Sequence, residues 1–233
     1  MIRMTGLTVQ FGGVRPLDDL SAELAEPIVG LIGPNGAGKT TLLNVISGFV
    51  MPTAGKLEVD GRSYLALAPT KRVRLGLRRM FQTEQVVEDL TIFDNIVAII
   101  DHVGSDDPVA EVGRAVAYLE IASLDRYGAE LNLFERRLVE LARTIVGRPK
   151  LIVMDEPAAG LTESETATFR HHLLGIPATF GAQVLLVDHD VDLIASTCSE
   201  TLVLDFGRRL AVGPTRAVLA DETVRRAYLG ALS

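Results

Sequence analysis

The sequence predicts an α/β fold, a mixed and mainly parallel sheet with an antiparallel edge, carrying an inserted α-helical subdomain over residues 83–147. Three observations predict it. Apolar runs of strand length alternate with longer helical patterns, the rhythm of βαβ units. A glycine-rich run from Gly33 to Thr41 lies between one such strand and a helical segment. Strand signals then vanish between Gln82 and Gly147, where apolar residues recur at helical spacing. We expect residues 1–233 to form a single domain, long enough to bury a sizeable core.

The elements follow in order. The apolar run Ile28 to Ile32 is a buried strand feeding a helix over Thr41 to Phe49. Leu57 to Val59 ends at Asp60-Gly61, a hairpin turn, and so predicts an antiparallel strand. Within the insert, Val112, Val116, Leu119, Leu138, Leu141 and Ile145 mark helices, and Gly104-Ser105-Asp106-Asp107-Pro108 reads as a loop. Leu151 to Met154 precedes a helix over Glu163 to Leu174, and Val184 to Val187 precedes one over Val191 to Ser196. Thr201 to Leu204, ending at Phe206-Gly207, predicts a second antiparallel strand.

Composition narrows the function. With 23 basic and 30 acidic residues the net charge is −7, which opposes broad binding to nucleic acid. The densest basic group, Arg72, Arg74, Arg78 and Arg79, is expected to be a solvated helix face. No run approaches the roughly 18 apolar residues of a membrane span, and the opening residues Met1 to Gly6 lack the pattern of an export signal, so a cytoplasmic chain is expected. Cys198, the single cysteine, is expected to be a small buried apolar side chain.

Gly33-Pro34-Asn35-Gly36-Ala37-Gly38-Lys39-Thr40-Thr41 has the spacing of a phosphate cradle. Glycines allow successive backbone N–H groups to turn inward, where they and a helix N-terminus meet the negative charge of a nucleotide. Lys39 would reach the β- and γ-phosphates, and Thr40 would offer its hydroxyl to Mg²⁺. The strand Leu151 to Met154 ends in two adjacent carboxylates. Side chains alternate along a strand, so Asp155 and Glu156 can serve separate tasks: Asp155 holding Mg²⁺, Glu156 polarising the water that attacks the γ-phosphate. The strand Val184 to Val187 ends in Asp188-His189-Asp190, placing an imidazole where it could orient that water. The pair His171-His172 is expected to be ordinary helix residues.

Together these motifs resemble the nucleotide-binding subunit of ATP-binding cassette (ABC) transporters, with matches from Leu7 to Gly230. The resemblance implies ATP and Mg²⁺ as cofactors. Phe11 sits where the family places an aromatic against adenine, Phe81-Gln82 looks like its Q-loop, and Gln82, Asp155, Glu156 and His189 look like its magnesium, base and switch residues. The runs FGGVRPLDDLS, GLIGPNGAGKTTLLNVISGF, DEPAAGL and AYLG are similar to the ATPase subunits of branched-chain amino-acid importers. That likeness implies uptake of a branched-chain amino acid or related amide, and a peripheral place on the inner face of the membrane. It also implies two permease partners, a second ATPase subunit, and indirectly a solute-binding protein.

The sequence departs from the family at the signature loop, usually LSGGQ, which closes the partner subunit's cradle. Here it reads Leu131-Asn132-Leu133-Phe134-Glu135, with neither glycine. Leu133 and Phe134 add bulk and Glu135 adds negative charge near a phosphate, so a weaker second half-site is expected. Either the chain pairs with a different ATPase whose signature is intact, or it pairs with itself and Asn132 caps a helix whose N–H groups do the binding. Thr162 stands where many relatives carry Asp. Coupling to the membrane partner is expected through Thr83 to Asn95, with Val86, Val87, Leu90, Ile92 and Phe93 as core and Glu84, Glu88 and Asp89 as docking residues.

Other classes remain as alternatives. A chromosome or repair ATPase would need a long coiled coil after Gln82, and no heptad run is present; a translation-type protein would carry two cassettes. A lipopolysaccharide-export ATPase, and a non-hydrolysing regulatory partner in a heterodimer, share the motifs present here.

Overall fold

The computed structural model describes residues 1–229. In chain order its main elements are β1 (Ile2–Phe11), β2 (Val14–Leu24), β3 (Ile28–Ile32), α1 (Lys39–Ser47), β4 (Ala54–Val59), β5 (Arg62–Ser63), α2 (Pro69–Arg74) and β6 (Leu77–Met80). The insert follows with α3 (Ile92–Val103), α4 (Pro108–Tyr118) and α5 (Leu133–Ile145). Then come β7 (Leu151–Asp155), α6 (Glu163–Phe180), β8 (Gln183–Val187), α7 (Val191–Thr197), β9 (Glu200–Asp205), β10 (Arg208–Pro214) and α8 (Thr215–Ala220). Gly230, the last residue of the AYLG run, lies outside the described residues. The chain divides into two compact units, one of Met1–Arg72 with the segment from Gln183 onward, the other of Val73–Ala182.

In the first unit β3 pairs in parallel with both β8 and β9, and β10 closes an edge antiparallel to β9. All five residues of β3 are buried, as expected for a strand covered on both faces. Gly30 at its centre admits α7 closely: a Cβ there would lie 3.0 Å from Ile194 Cγ2 and from Thr201 Oγ1. A separate antiparallel sheet runs β2-β1-β4-β5, its last hairpin turning at Asp60-Gly61 with Val59 opposite Arg62. Both predicted hairpins are therefore antiparallel. Strands β1, β2 and β6 are additions to the sequence expectation; β1 alternates, burying Ile2, Met4, Leu7 and Val9.

In the second unit β6 and β7 pair in parallel, Leu77 opposite Leu151 through Met80 opposite Met154. The predicted insert is helical. Its Gly104–Pro108 loop works through Asp107, which caps α4 by accepting from Ala110 N at 3.0 Å, with Pro108 in the first turn. The compact unit is larger than the insert, since β6, β7 and α6 cluster with it. α6 runs on to Phe180, through Pro177 and beyond the expected end at Leu174. Gly175 makes room there for the Tyr118 hydroxyl, which donates to the carbonyl of a buried His172.

The arginine group is a correction. Arg72 is fully buried and donates to the carbonyls of Val45, Ile46 and Leu67, closing the C-terminal end of α1. Arg78 is buried too and does the same for Val73, Val146 and Gly147. Of the four only Arg74 is exposed. Unsatisfied helix-end carbonyls inside a core demand donors, and a five-donor guanidinium supplies several at once. Cys198 is buried as expected. Among the described residues no helix is long and apolar enough to cross a membrane.

Candidate functional site

The two units carry separate halves of the candidate machinery. In the first, β3 ends at Ile32 and the chain turns through Gly33, Gly36 and Gly38, with φ of 153°, 79° and 103°. A Cβ on Gly33 would stand 2.2 Å from the Leu204 carbonyl oxygen, and one on Gly38 would stand 2.1 Å from that of Pro16. At Gly36 a Cβ would meet nothing within 4 Å. The loop is thus pressed against its own unit on one side and open on the other, where Asn35, Gly36 and Thr40 are exposed. Pro34 and Ala37 complete the turn, Ala37 N donating to Pro34 O at 3.1 Å, and Thr41 lies in the first turn of α1.

Helix α1 begins directly after Gly38 with no side-chain cap and no acidic residue in its first turn. Its first N–H groups and the positive end of its dipole therefore meet no side-chain cap and no acidic first-turn residue, the electrostatics of an anion site. The Lys39 ammonium lies over the loop, donating to the carbonyls of Gly33 at 2.6 Å and Pro34 at 3.0 Å. Phe11, at the end of β1, is 54% exposed. His189 is exposed just past β8, between Asp188, which accepts from Asp190 N, and Asp190, which caps α7.

In the second unit the β6–β7 register sorts the functional side chains. Arg79 stands opposite Val153, so Asp155 lies two residues further along on the same face; Gln82 and Glu156 lie just past the ends of the two strands, two positions beyond the opposed Met80 and Met154. The contacts follow this sorting. Gln82 Nε2 donates to Glu156 Oε2 at 2.8 Å, and Arg79 pairs with Asp155 at 3.5 Å. Glu156 has φ of 49°, a left-handed conformation that costs a non-glycine residue about 1–3 kcal/mol and is found at functional turns.

The signature stretch begins α5. Asn132 caps it, accepting from Glu135 N at 2.9 Å, while the Glu135 carboxylate accepts from Asn132 N at 2.9 Å. Arg126 grips the same carboxylate with both guanidinium nitrogens. This guanidinium holds Glu135 below the usual carboxylate range. The expected repulsive charge at Glu135 is therefore matched within the unit, and the helix N-terminus is closed by its own side chains. Leu133 and Phe134 are half-buried, and a Cβ on Gly160 would come within 3.0 Å of Leu133. Thr162 caps α6 and exchanges hydrogen bonds with Glu165, keeping the helix start that an Asp would also provide.

Around Thr83 to Asn95 the expectation is partly corrected. Ile92 is buried, but Val87 is 47% exposed and is not core. Glu88 pairs with Arg136 at 3.2 Å and Glu84 lies 3.8 Å from it; among the described residues Asp89 forms no ion pair. Asn95 organises the segment, accepting from Val87 N and donating to the carbonyls of Val87, Leu90 and Thr91.

Three charged residues went unassigned from sequence, Arg126, Arg137 and Glu140, while Arg79, expected on a solvated helix face, lies instead on strand β6 with its side chain buried. Arg137 and Glu140 are buried on α5 and hold the chain around Gln82, Arg137 donating to Gln82 O at 2.8 Å and Glu140 accepting from Gln85 N at 2.6 Å. Burial raises the pKa of Glu140, and Arg137 opposes the rise. For Arg137 and Glu140, charged residues at apolar positions of a helical pattern were the available signal.

The ABC transporter family profile matches residues 17–159. The chain is 30% identical over 249 residues to the high-affinity branched-chain amino acid transport ATP-binding protein BraF of Pseudomonas aeruginosa, with 99% of this chain and 98% of that protein covered. It is 32% identical over 207 residues to the lipopolysaccharide export system ATP-binding protein LptB of Haemophilus influenzae, covering 87% and 86%. The crystal structure of the ADP conformation of MJ1267, an ATP-binding cassette of an ABC transporter, superposes with a TM-score of 0.87 at 27% identity over 99% and 98% of the two chains.

Proposed function

The chain belongs to the ABC transporter family as an ATPase subunit, and on that premise we propose that it powers uptake of a branched-chain amino acid or related amide through membrane permease subunits. The observation carrying the catalytic part is the uncapped α1 N-terminus behind a loop whose glycines leave one side open. That loop fits phosphate, and Lys39 would exchange the carbonyls of Gly33 and Pro34 for phosphate oxygens. Phe11 would stack on the base.

A hard divalent cation fits the donor types offered. Asp155, Thr40 and Gln82 present carboxylate, hydroxyl and amide oxygens, the set Mg²⁺ takes alongside phosphate and water. Bound there, Mg²⁺ would neutralise charge on the β- and γ-phosphates. Glu156 is the proposed general base: it takes a proton from the water whose oxygen attacks the γ-phosphorus as the bond to the ADP oxygen breaks. Gln82 orients Glu156 through the 2.8 Å hydrogen bond. His189 would donate to the γ-phosphate and act as the switch.

The FGGV start and the Phe81-Gln82 context, similar to the importer ATPases, support uptake. The self-capped α5 favours pairing with a second, different ATPase whose signature closes the Gly33 cradle. The chain would then sit as a peripheral subunit on the inner membrane face, with a solute-binding protein delivering the amino acid to the permeases. The test is reconstitution with its permeases and that second subunit. ATP-dependent uptake of labelled leucine or a related amide is expected, and Glu156→Gln should retain ATP binding while losing most hydrolysis. Transport of lipopolysaccharide instead, or near-normal hydrolysis by the Gln variant, would overturn the corresponding part.

A further inference from the structure

We propose that Arg79 is a built-in counter-ion that occupies the Asp155 carboxylate until nucleotide arrives, so that the divalent cation binds with nucleotide rather than ahead of it. The inference rests on Asp155 being the cation ligand, as proposed above. Its geometry is set by the sheet: the β6–β7 register puts Arg79, Phe81 and Asp155 on one face at the carboxyl ends of two parallel strands. The guanidinium reaches Asp155 at 3.5 Å, and both side chains are about nine-tenths or more buried, at 8% and 10% exposure. Its carbon lies 4.6 Å from the centroid of the Phe81 ring, one residue before Gln82.

Three physical consequences follow. Burying a carboxylate among neutral groups is costly, and the Arg79 guanidinium beside Asp155 supplies a compensating charge. Guanidinium is the cation suited to the task, because it stays protonated, spreads its charge over a plane and stacks on a ring that holds it in place. The same positive charge repels a divalent ion approaching Asp155, which lowers the affinity for cation alone. The phosphates of a bound nucleotide add the negative charge that outweighs this repulsion. Arg79 is thus a positioning residue, holding Asp155 aimed while linking cation binding to nucleotide binding.

The test uses the full chain and Mn²⁺ as probe, with bound metal read by electron paramagnetic resonance and stability read by thermal melting. Arg79→Met keeps a long side chain beside Phe81 without the charge. We expect it to bind Mn²⁺ in the absence of nucleotide at least about tenfold more tightly than wild type, a lower bound for deleting one like charge a few ångströms from a divalent ion. Its metal-free melting temperature should fall and recover on adding Mn²⁺. Arg79→Lys retains charge and should keep the weak nucleotide-free affinity. Phe81→Leu, which removes the ring shelf, should raise that affinity by a smaller factor, and stands in if the Met variant does not fold. Unchanged nucleotide-free affinity in both Arg79→Met and Phe81→Leu, or a Lys variant as tight as the Met variant, overturns the counter-ion role. Asp155→Asn separates the underlying reading: if it leaves Mn²⁺ affinity with ATP present unchanged, Asp155 is not the ligand and the site assignment itself fails.

Discussion

Gln82 donates a 2.8 Å hydrogen bond from its amide nitrogen to Glu156, across the open ends of two parallel strands. The pair is a consequence of register, since each residue lies two positions beyond the opposed Met80 and Met154. If Gln82 orients the base, losing it should cost less than losing the base. We expect Glu156→Gln to lower turnover about 10²–10⁴-fold, the range for general-base removal, and Gln82→Ala to fall short of that loss. Steady-state ATP hydrolysis by the assembled complex ranks the two, and equal losses would argue against a purely orienting part for Gln82.

Gly38→Ala should destabilise the chain by at least about 2 kcal/mol, because the residue is left-handed and its Cβ would run into the Pro16 carbonyl oxygen at 2.1 Å. For a chain of this size that corresponds to a fall of about 4–8 °C in melting temperature. Differential scanning calorimetry without nucleotide separates this effect from lost phosphate binding.

Arg137→Met should cost about 3–5 kcal/mol, since it strands a buried Glu140 without its 2.9 Å partner. It also releases the Gln82 carbonyl. Arg137→Met with Glu140→Gln should recover much of the stability while leaving hydrolysis impaired. Urea denaturation read alongside turnover checks this; a double variant as unstable as the single one would show that the charge pair is not the cause.

The Arg126–Glu135 pair predicts an acid limb. Glu135 titrates below its usual value of 4.5 in the folded chain, so its contribution is fully present above that pH and is lost as pH falls through the lower, folded value. Glu135→Gln keeps the helix cap but not the charge. Its melting temperature should lie below wild type at pH 7 and converge with it as the pH falls through the lowered, folded value. A gap that persists unchanged into acid would rule out titration of Glu135 as its origin.

Cys198 should resist alkylation. Burial pushes its thiol up to about 12, with the Asp188 charge adding to the effect, so thiolate is scarce at pH 8. Mass spectrometry after iodoacetamide should find it unmodified in the native chain and fully modified in urea. Rapid native labelling would mean that the segment around α7 opens readily.

Particular elements show how far the pattern could be read. The cradle, β3, β7, β8 and both hairpin turns were legible, because a glycine spacing, a short apolar run or an Asp-Gly turn is a local constraint with few solutions. Strand β1 was harder: its buried positions alternate except at the three-residue step from Met4 to Leu7, where its register against β2 shifts. The arginines were misread because a guanidinium on a charged stretch looks solvated until the helix ends it serves are known. Arg72 answers carbonyls 26 and 27 residues away, and Arg78 answers ones 68 and 69 residues away.

By itself the sequence determined the residue types of the chemistry and the local turns that present them: glycines for the loop, Lys39 and Thr40 at the start of α1, two carboxylates at the end of β7. Pairing was decided only in three dimensions. Whether Asp155 meets Arg79 and Glu156 meets Gln82 depends on the register of two strands separated by the whole helical insert, and one residue of slip would exchange the faces. That register is chosen by the packing of everything between them, which no local pattern encodes.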